Sequence, residues 1–352
     1  MSKAEPEVRD LEAHEASPAR DGSFARGGFE ARSGSEAGGA GVRRTPGLVP
    51  VAESRLTAEH GPRADLPALT ATPQDGGTGP ARAFLRMLGS ELGLTFRRPR
   101  NVAMLTVLAA VPVLLGVVLR LVGGDMSDGP GGIIQQVTGN GFFLAFISLS
   151  ALVPLLMPVA IAVVAADAVA GEASGGTLRY LLAAPAGRTR LLAVKYVNAV
   201  LFCLAVASAV SLAALVTGLI LFPSGPVTLL SGVVIPLGDA LLRMLIVVGY
   251  VTAGMAALAA VALALSTLTE APIGAIAATV VMVIVTQVLR VIPELDGLQP
   301  YLLPNWWSDF DAVLRDPIAF DDLRSGLLAF GAYILLFGSF AWARFTSKDI
   351  TS

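Results

Sequence analysis

Six apolar runs, each near twenty residues, leave this 352-residue chain few ways to fold. They cover residues 102–122, 142 to about 167, 196–222, 240–265, 272–292 and 326–345. An α-helix rises 1.5 Å per residue, so about 20 apolar residues cross the ~30 Å of bilayer hydrocarbon. Each run therefore reads as a membrane-spanning helix. The second, at about 26 residues, is long for a span and carries Pro154 and Pro158, which predicts a kink or tilt. The fourth and fifth are separated only by STLTEA, and Thr269 or Glu270 ahead of Pro272 reads as a helix start with proline in the first turn.

Polarity is placed unevenly around these runs. The chain is 54% hydrophobic and 15% charged, with a mean hydropathy of +0.69, far from an ordinary soluble domain. Yet residues 1–80 hold 9 Lys+Arg and 12 Asp+Glu, against one basic and two acidic side chains in 101–166. The net charge of −2 thus averages two unlike parts, and neither has the basic excess of a nucleic-acid binder. Residues 1–80 are rich in Gly, Ala, Pro, Ser, Glu and Arg, and bury too little apolar surface to offset chain entropy; they read as a disordered polar tail. The first residues have no apolar core of a signal peptide, and neither end carries a lipidation pattern. With 22 arginines to 3 lysines and abundant Ala and Gly, the composition suggests a GC-rich bacterial genome.

Residues 81–100 form a second region. At 100° per residue, Phe84, Leu85, Leu88, Leu92 and Phe96 share one arc of a helix, while Arg82, Arg86, Ser90, Gly93 and Arg97 share another. This is the pattern of an amphipathic interfacial helix whose arginines meet anionic headgroups, and Pro99 ends it. The third region, 101–352, is the membrane domain. The expected fold is an all-α integral membrane protein: six transmembrane helices behind an N-terminal amphipathic interfacial helix and a disordered tail.

Several chemistries are disfavoured by what the membrane domain contains. Both histidines, His14 and His60, lie in the tail, and the single cysteine, Cys203, sits inside an apolar run. Neither a His- or Cys-based metal site nor a Ser-His-Asp set fits the spans. The loop sequence GEASGGT has glycines but no lysine to reach a phosphate, so the chain has no nucleotide-binding loop of its own. Ion-coupled carriers place ionisable groups near the bilayer midplane. Here Arg120, Arg243 and Arg290 lie near span ends and Asp167 at the end of the second span. Gln287 is the strongest polar group inside a span, and a single amide reads as interhelical glue. No catalytic residues, metal or cofactor are expected, and the energy source is expected outside the membrane domain.

Basic residues near the span ends set the orientation. With the N-terminus inside, eleven basic residues flank the spans on the cytoplasmic side and five on the outer side, where ten acids also lie. The expected topology is a multi-pass cell-membrane protein with both termini cytoplasmic. The outer segment 293–324 holds Tyr301, Trp306, Trp307, Phe310 and Phe320, read as an interfacial aromatic belt.

One polar segment on the cytoplasmic side stands out. In 166–195, ADAVAGEASGGTLRYLLAAPAGRTRLLAVK, glycines and Glu172 precede a helix-capable stretch, Thr177–Ala184, and Pro185 ends it. Leu178, Leu181 and Leu182 share a face at i, i+3 and i+4, with Arg179 elsewhere and Arg188, Arg190 and Lys195 following. Two helical turns are marginal alone, so such a stretch is stabilised by docking. The other reading is an ordinary basic inside loop.

This string resembles the loop between the second and third spans of type-2 ATP-binding-cassette (ABC) exporter permeases, which runs approximately E…GT-hydrophobic-R…LL…P…R…K. The matching residues are Glu172, Gly176, Thr177, Leu178, Arg179, Leu181, Leu182, Pro185, Arg188 and Lys195. The helix ending RRPR, the turn STLTEAPIGA and the terminal Phe345, Asp349 and Ile350 extend the likeness to about 80–352. The resemblance implies a non-enzymatic permease subunit whose short cytoplasmic coupling helix rests on a separate ATPase subunit. It makes 81–98 the connecting helix and places short re-entrant helices in 293–324. ATP and Mg would be bound by the partner chain, and two permeases, identical or related, would pair in the lipid membrane. An apolar interior suggests hydrophobic or amphipathic cargo for export. A secondary transporter, or a membrane-anchored assembly or signalling protein without transport activity, are the alternative classes.

Overall fold

The structure is a computed structural model, which describes residues 79–122, 140–175, 187–223, 225–229 and 233–347. The expected tail lies outside these residues. The described helices are α1 (Pro80–Arg97), α2 (Pro99–Val122), α3 (Phe143–Leu152), α4 (Leu156–Ser174), α5 (Arg188–Leu221), α6 (Leu237–Leu268), α7 (Pro272–Val291) and α8 (Phe320–Ser347). Six of them, α2 and α4 to α8, are long and apolar enough to cross a membrane. The protein is a multi-pass membrane protein built on helices.

Helix boundaries follow local chemistry. Arg98 is extended (φ −69°, ψ 121°), and the residue before a proline avoids the helical region, so α1 stops at Arg97 and α2 opens on Pro99. At the α6–α7 turn the Thr269 hydroxyl accepts the Ala271 N–H at 3.1 Å, and Pro272 stands in the first turn of α7. The helix start is thus at Ala271, one residue beyond the positions that the sequence suggested. The spans also extend past their apolar runs: α5 begins at Arg188, eight residues before the run, and α8 begins at Phe320.

The second apolar run is broken, as its prolines require. It divides into α3 and α4 around Val153–Leu155, where Leu155 has φ −139° and ψ −53°. Pro158 has no N–H to donate to the Pro154 carbonyl one turn earlier. That carbonyl instead accepts the Gln287 Nε2–H of α7 at 2.9 Å. The amide read as interhelical glue is therefore bonded to the backbone group that the second proline leaves open.

Helix α6 is the axis of the bundle. Of its most apolar stretch, 72% is buried, against 17% for the corresponding stretches of α2, α7 and α8. Those three show their apolar side chains outward, as helices facing lipid do. At the end away from the 175–187 loop, α3 and α5 approach so closely that a Cβ on Gly141 would lie 2.1 Å from the Gly218 carbonyl oxygen. Only glycine fits either position.

Two features depart from the sequence reading. A small antiparallel ladder, β1 (Val227–Thr228) with β2 (Val234–Ile235), pairs Val227 with Ile235 and Thr228 with Val234 between α5 and α6. Among the described residues the fold is thus helical with one short two-stranded ladder. Second, the aromatic residues of 293–324 do not form one belt. The segment winds into two 3₁₀ stretches, Pro293–Tyr301 and Leu303–Leu314, which bury Trp307 and Phe310 within the core while Tyr301 and Phe320 stay exposed.

Candidate functional site

Charged side chains converge where α1, α2, α4 and α5 end beside the 175–187 loop. Lys195, in the second turn of α5, is only 2% exposed. An ammonium so placed is tolerable only if paired, because desolvation otherwise forces it to lose its proton. Its Nζ forms a close ion pair with Glu172 Oε1 of α4, and Glu91 Oε1 of α1 stands 3.6 Å away. One lysine thus ties the helix entering the loop, the helix leaving it and the amphipathic helix α1.

A second ion cluster lies alongside. Asp167 Oδ2 accepts from Arg98 Nη1 at 2.7 Å and pairs closely with Arg100 Nη2. Both arginines flank the α1–α2 break, so one α4 carboxylate holds both sides of that hinge. Charge-assisted hydrogen bonds of this kind are roughly twice as strong as neutral ones, although exposed arginines gain less.

Neutral groups complete the linkage. Thr95 of α1 is buried; its hydroxyl accepts from Asn198 Nδ2 at 2.8 Å and its carbonyl from Asn101 Nδ2 at 2.9 Å. The Ser266 hydroxyl of α6 donates to the Ala166 carbonyl and accepts the N–H groups of Val169 and Ala170, at 3.2 and 2.9 Å, fixing α4 one turn before Glu172. Between these groups lies a polar cavity of about 390 Å³, lined by Glu91, Thr95, Asn101, Asp167, Glu172, Lys195 and Asn198 among others.

The far end of the bundle is built otherwise. Arg243 of α6 donates through Nη1 to the carbonyls of Val313 and Arg315, at 2.6 and 2.7 Å, and through Nη2 to Asp316 Oδ1 at 3.0 Å. Arg290 of α7 reaches the Pro304 carbonyl at 3.3 Å, and Tyr250 of α6 donates to the Trp306 carbonyl at 2.8 Å. These bonds fasten the 3₁₀ segment over the span ends. Burial and the carboxylates of Asp311 and Asp322 raise the Asp309 pKa from 3.8 to about 6, with Arg290 opposing.

Of the site residues read from the sequence, Glu172 and Arg188 are described. Glu172 holds Lys195, and Arg188 Nη1 donates to the Thr346 carbonyl of α8 at 2.9 Å. Gly176, Thr177, Leu178, Arg179, Leu181, Leu182 and Pro185 lie outside the described residues. The sequence reading missed Glu91, Thr95, Asn101 and Asn198. Glu91 carried a usable signal, being the sole acid in the otherwise basic stretch 81–100.

The chain belongs to a family described as "Protein of unknown function (DUF2705)", whose pattern matches residues 130–351. Comparison with curated proteins finds no match.

Proposed function

We propose that this chain is the transmembrane permease subunit of an ABC exporter, powered by a separate ATPase that docks on the loop between α4 and α5. The observation that carries this reading is the Lys195 linkage. Glu172 and Lys195 bracket the loop and Glu91 adds α1, so a push on the loop is felt at once by three helices and, through Asp167, by the α1–α2 break. Coupling requires such a physically connected element, biased from outside the membrane.

In this reading α1 lies along the cytoplasmic surface of the cell membrane and both termini are cytoplasmic. Residues 177–184 form the coupling helix, while Leu178, Leu181 and Leu182 fill an apolar groove of the ATPase. The permease is non-catalytic, ATP and Mg reside in the partner, and a second permease completes the pair. Cargo is hydrophobic or amphipathic.

Replacing Leu181 with Asp tests the docking. It would set an unpaired charge against an apolar groove, at a cost of roughly 2–4 kcal/mol, the range of an interface hot spot. The ATPase should fail to co-purify while membrane insertion is unchanged. Retained association together with retained export would sink the assignment of the loop.

A further inference from the structure

The interior of the polar cavity at the loop end has acceptors left over. Asn101 and Asn198 line it and are 3% and 6% exposed. Thr95 orients both amides. Its carbonyl can only accept, so Asn101 turns Nδ2 toward it, and Asn198 donates from Nδ2 to the Thr95 hydroxyl. Both Oδ1 atoms are then buried without a hydrogen-bond partner among the described residues. Glu91, one turn before Thr95 on the same face of α1, lines the cavity beside them. Lys195 pairs closely with Glu172 and stands 3.6 Å from Glu91 Oε1, too far for a hydrogen bond, so the Glu91 carboxylate has room for another donor. Unsatisfied buried acceptors are costly, and these around Thr95 call for an occupant that donates.

The mouth has the opposite character. There Asp167 faces two cavity-lining guanidiniums, Arg98 and Arg100, whose side chains are 53% and 46% exposed. Each pairs with Asp167 through a single Nη, which leaves both with N–H groups for a further anion. Exposed Leu94 gives the lining an apolar edge. Acceptors inside, cations at the mouth and an apolar edge are the complement of a zwitterion carried on a lipid: an ammonium, a phosphate and a glyceride. Among the described residues no three His, Cys, Asp or Glu side chains are grouped to hold a metal ion, so N–H groups are the fitting donors. The volume of about 390 Å³ lies within the range of about 300–1,000 Å³ for small-ligand sites.

We propose that this cavity binds the ethanolamine phosphate headgroup of a phospholipid, its ammonium donating to Asn101, Asn198 and Glu91 and its phosphate held by Arg98 and Arg100. Such binding needs no ATPase, so it stands or falls separately from the transport reading.

The full chain in detergent, titrated with single lipids and read by native mass spectrometry, provides the test. Phosphatidylethanolamine should bind at least about tenfold more tightly than phosphatidylcholine, whose quaternary ammonium has no N–H and leaves the acceptors unpaired. Asn101→Leu should bring that ratio to about one. Glu91→Gln, which keeps both amide bonds to Thr95, should lower it severalfold in a folded chain. Arg100→Gln should weaken both lipids and leave the ratio unchanged, because both carry the phosphate. Glycerophosphoethanolamine, the same headgroup in soluble form, should displace the lipid only at far higher concentration. Binding of the soluble ester as tight as that of the lipid would overturn the lipid source. Equal affinity for the two lipids, or a preference that survives both Asn101→Leu and Glu91→Gln, would overturn the site itself and leave the amides to water.

Discussion

The two ends of the bundle solve the same problem, closing a set of span ends, in opposite ways. At the far end, Arg243 is captured by two backbone carbonyls and the Asp316 carboxylate, and Trp307 and Phe310 fill the space between helices. At the loop end, Lys195, Arg98 and Arg100 are matched to side-chain carboxylates around an open polar cavity. Backbone acceptors are fixed by the fold, whereas the loop-end ion pairs join the carboxylates of Glu91 on α1 and Asp167 and Glu172 on α4 to cations beside the α1–α2 break and on α5. One end is capped by a packed segment and the other is held by ion pairs, the asymmetry that the proposed function calls for.

The comparison breaks most sharply at Lys195. Lys195→Met leaves Glu91 and Glu172 together without their cation, and removing one partner of a buried pair costs about 3–5 kcal/mol. The thermal midpoint in detergent should fall markedly, and adding Glu172→Gln should recover part of the loss. No change in midpoint would show that the loop end is not held by this lysine.

Arg243→Gln is the matching change at the capped end. It removes charge-assisted bonds to two carbonyls, about 1.5–3 kcal/mol each before compensation, and the pair with Asp316. The midpoint should drop, but binding of a loop-docked partner should persist. Loss of partner binding in this variant, with the protein still folded, would erase the distinction between the ends.

A smaller effect separates the ends by pH. The folded pKa of Asp309, about 6, lies above its ordinary 3.8, because burial and two neighbouring carboxylates disfavour its charge. Between those values the folded chain binds more protons than the unfolded one, so this group's contribution to stability falls as pH rises from about 4 to 6. Asp309→Asn should flatten that decline and raise the midpoint at neutral pH. An unaltered pH profile would place the titration elsewhere.

Much of the frame was legible because hydrophobicity acts over whole helices. The six apolar runs mark the six spans, Pro99 marks the end of the first helix, Pro272 marks a helix start, and Pro154 with Pro158 marks the break. Partnerships were less legible. Glu91 and Lys195 are 104 positions apart, and nothing in a linear pattern shows that an amphipathic helix folds back to bring them within 3.6 Å. Asn198 reads as a lone polar residue in an apolar run until Thr95 appears opposite it. Trp307 and Phe310 fit a belt by composition, yet the 3₁₀ winding turns them inward. The ladder was missed because two-residue strands have no measurable periodicity.

Glu91→Gln tests the account most directly, since it keeps the close Lys195–Glu172 pair and removes only the charge that links α1 to it. The measurement is ATP hydrolysis by the proposed permease–ATPase complex, reconstituted with wild-type or variant chain. The account predicts that the ATPase still binds but that stimulation by the permease drops, because α1 loses its charged tie to Lys195 while Thr95–Asn198 and Arg98–Asp167 remain. Stimulation equal to wild type in a fully assembled complex would contradict it.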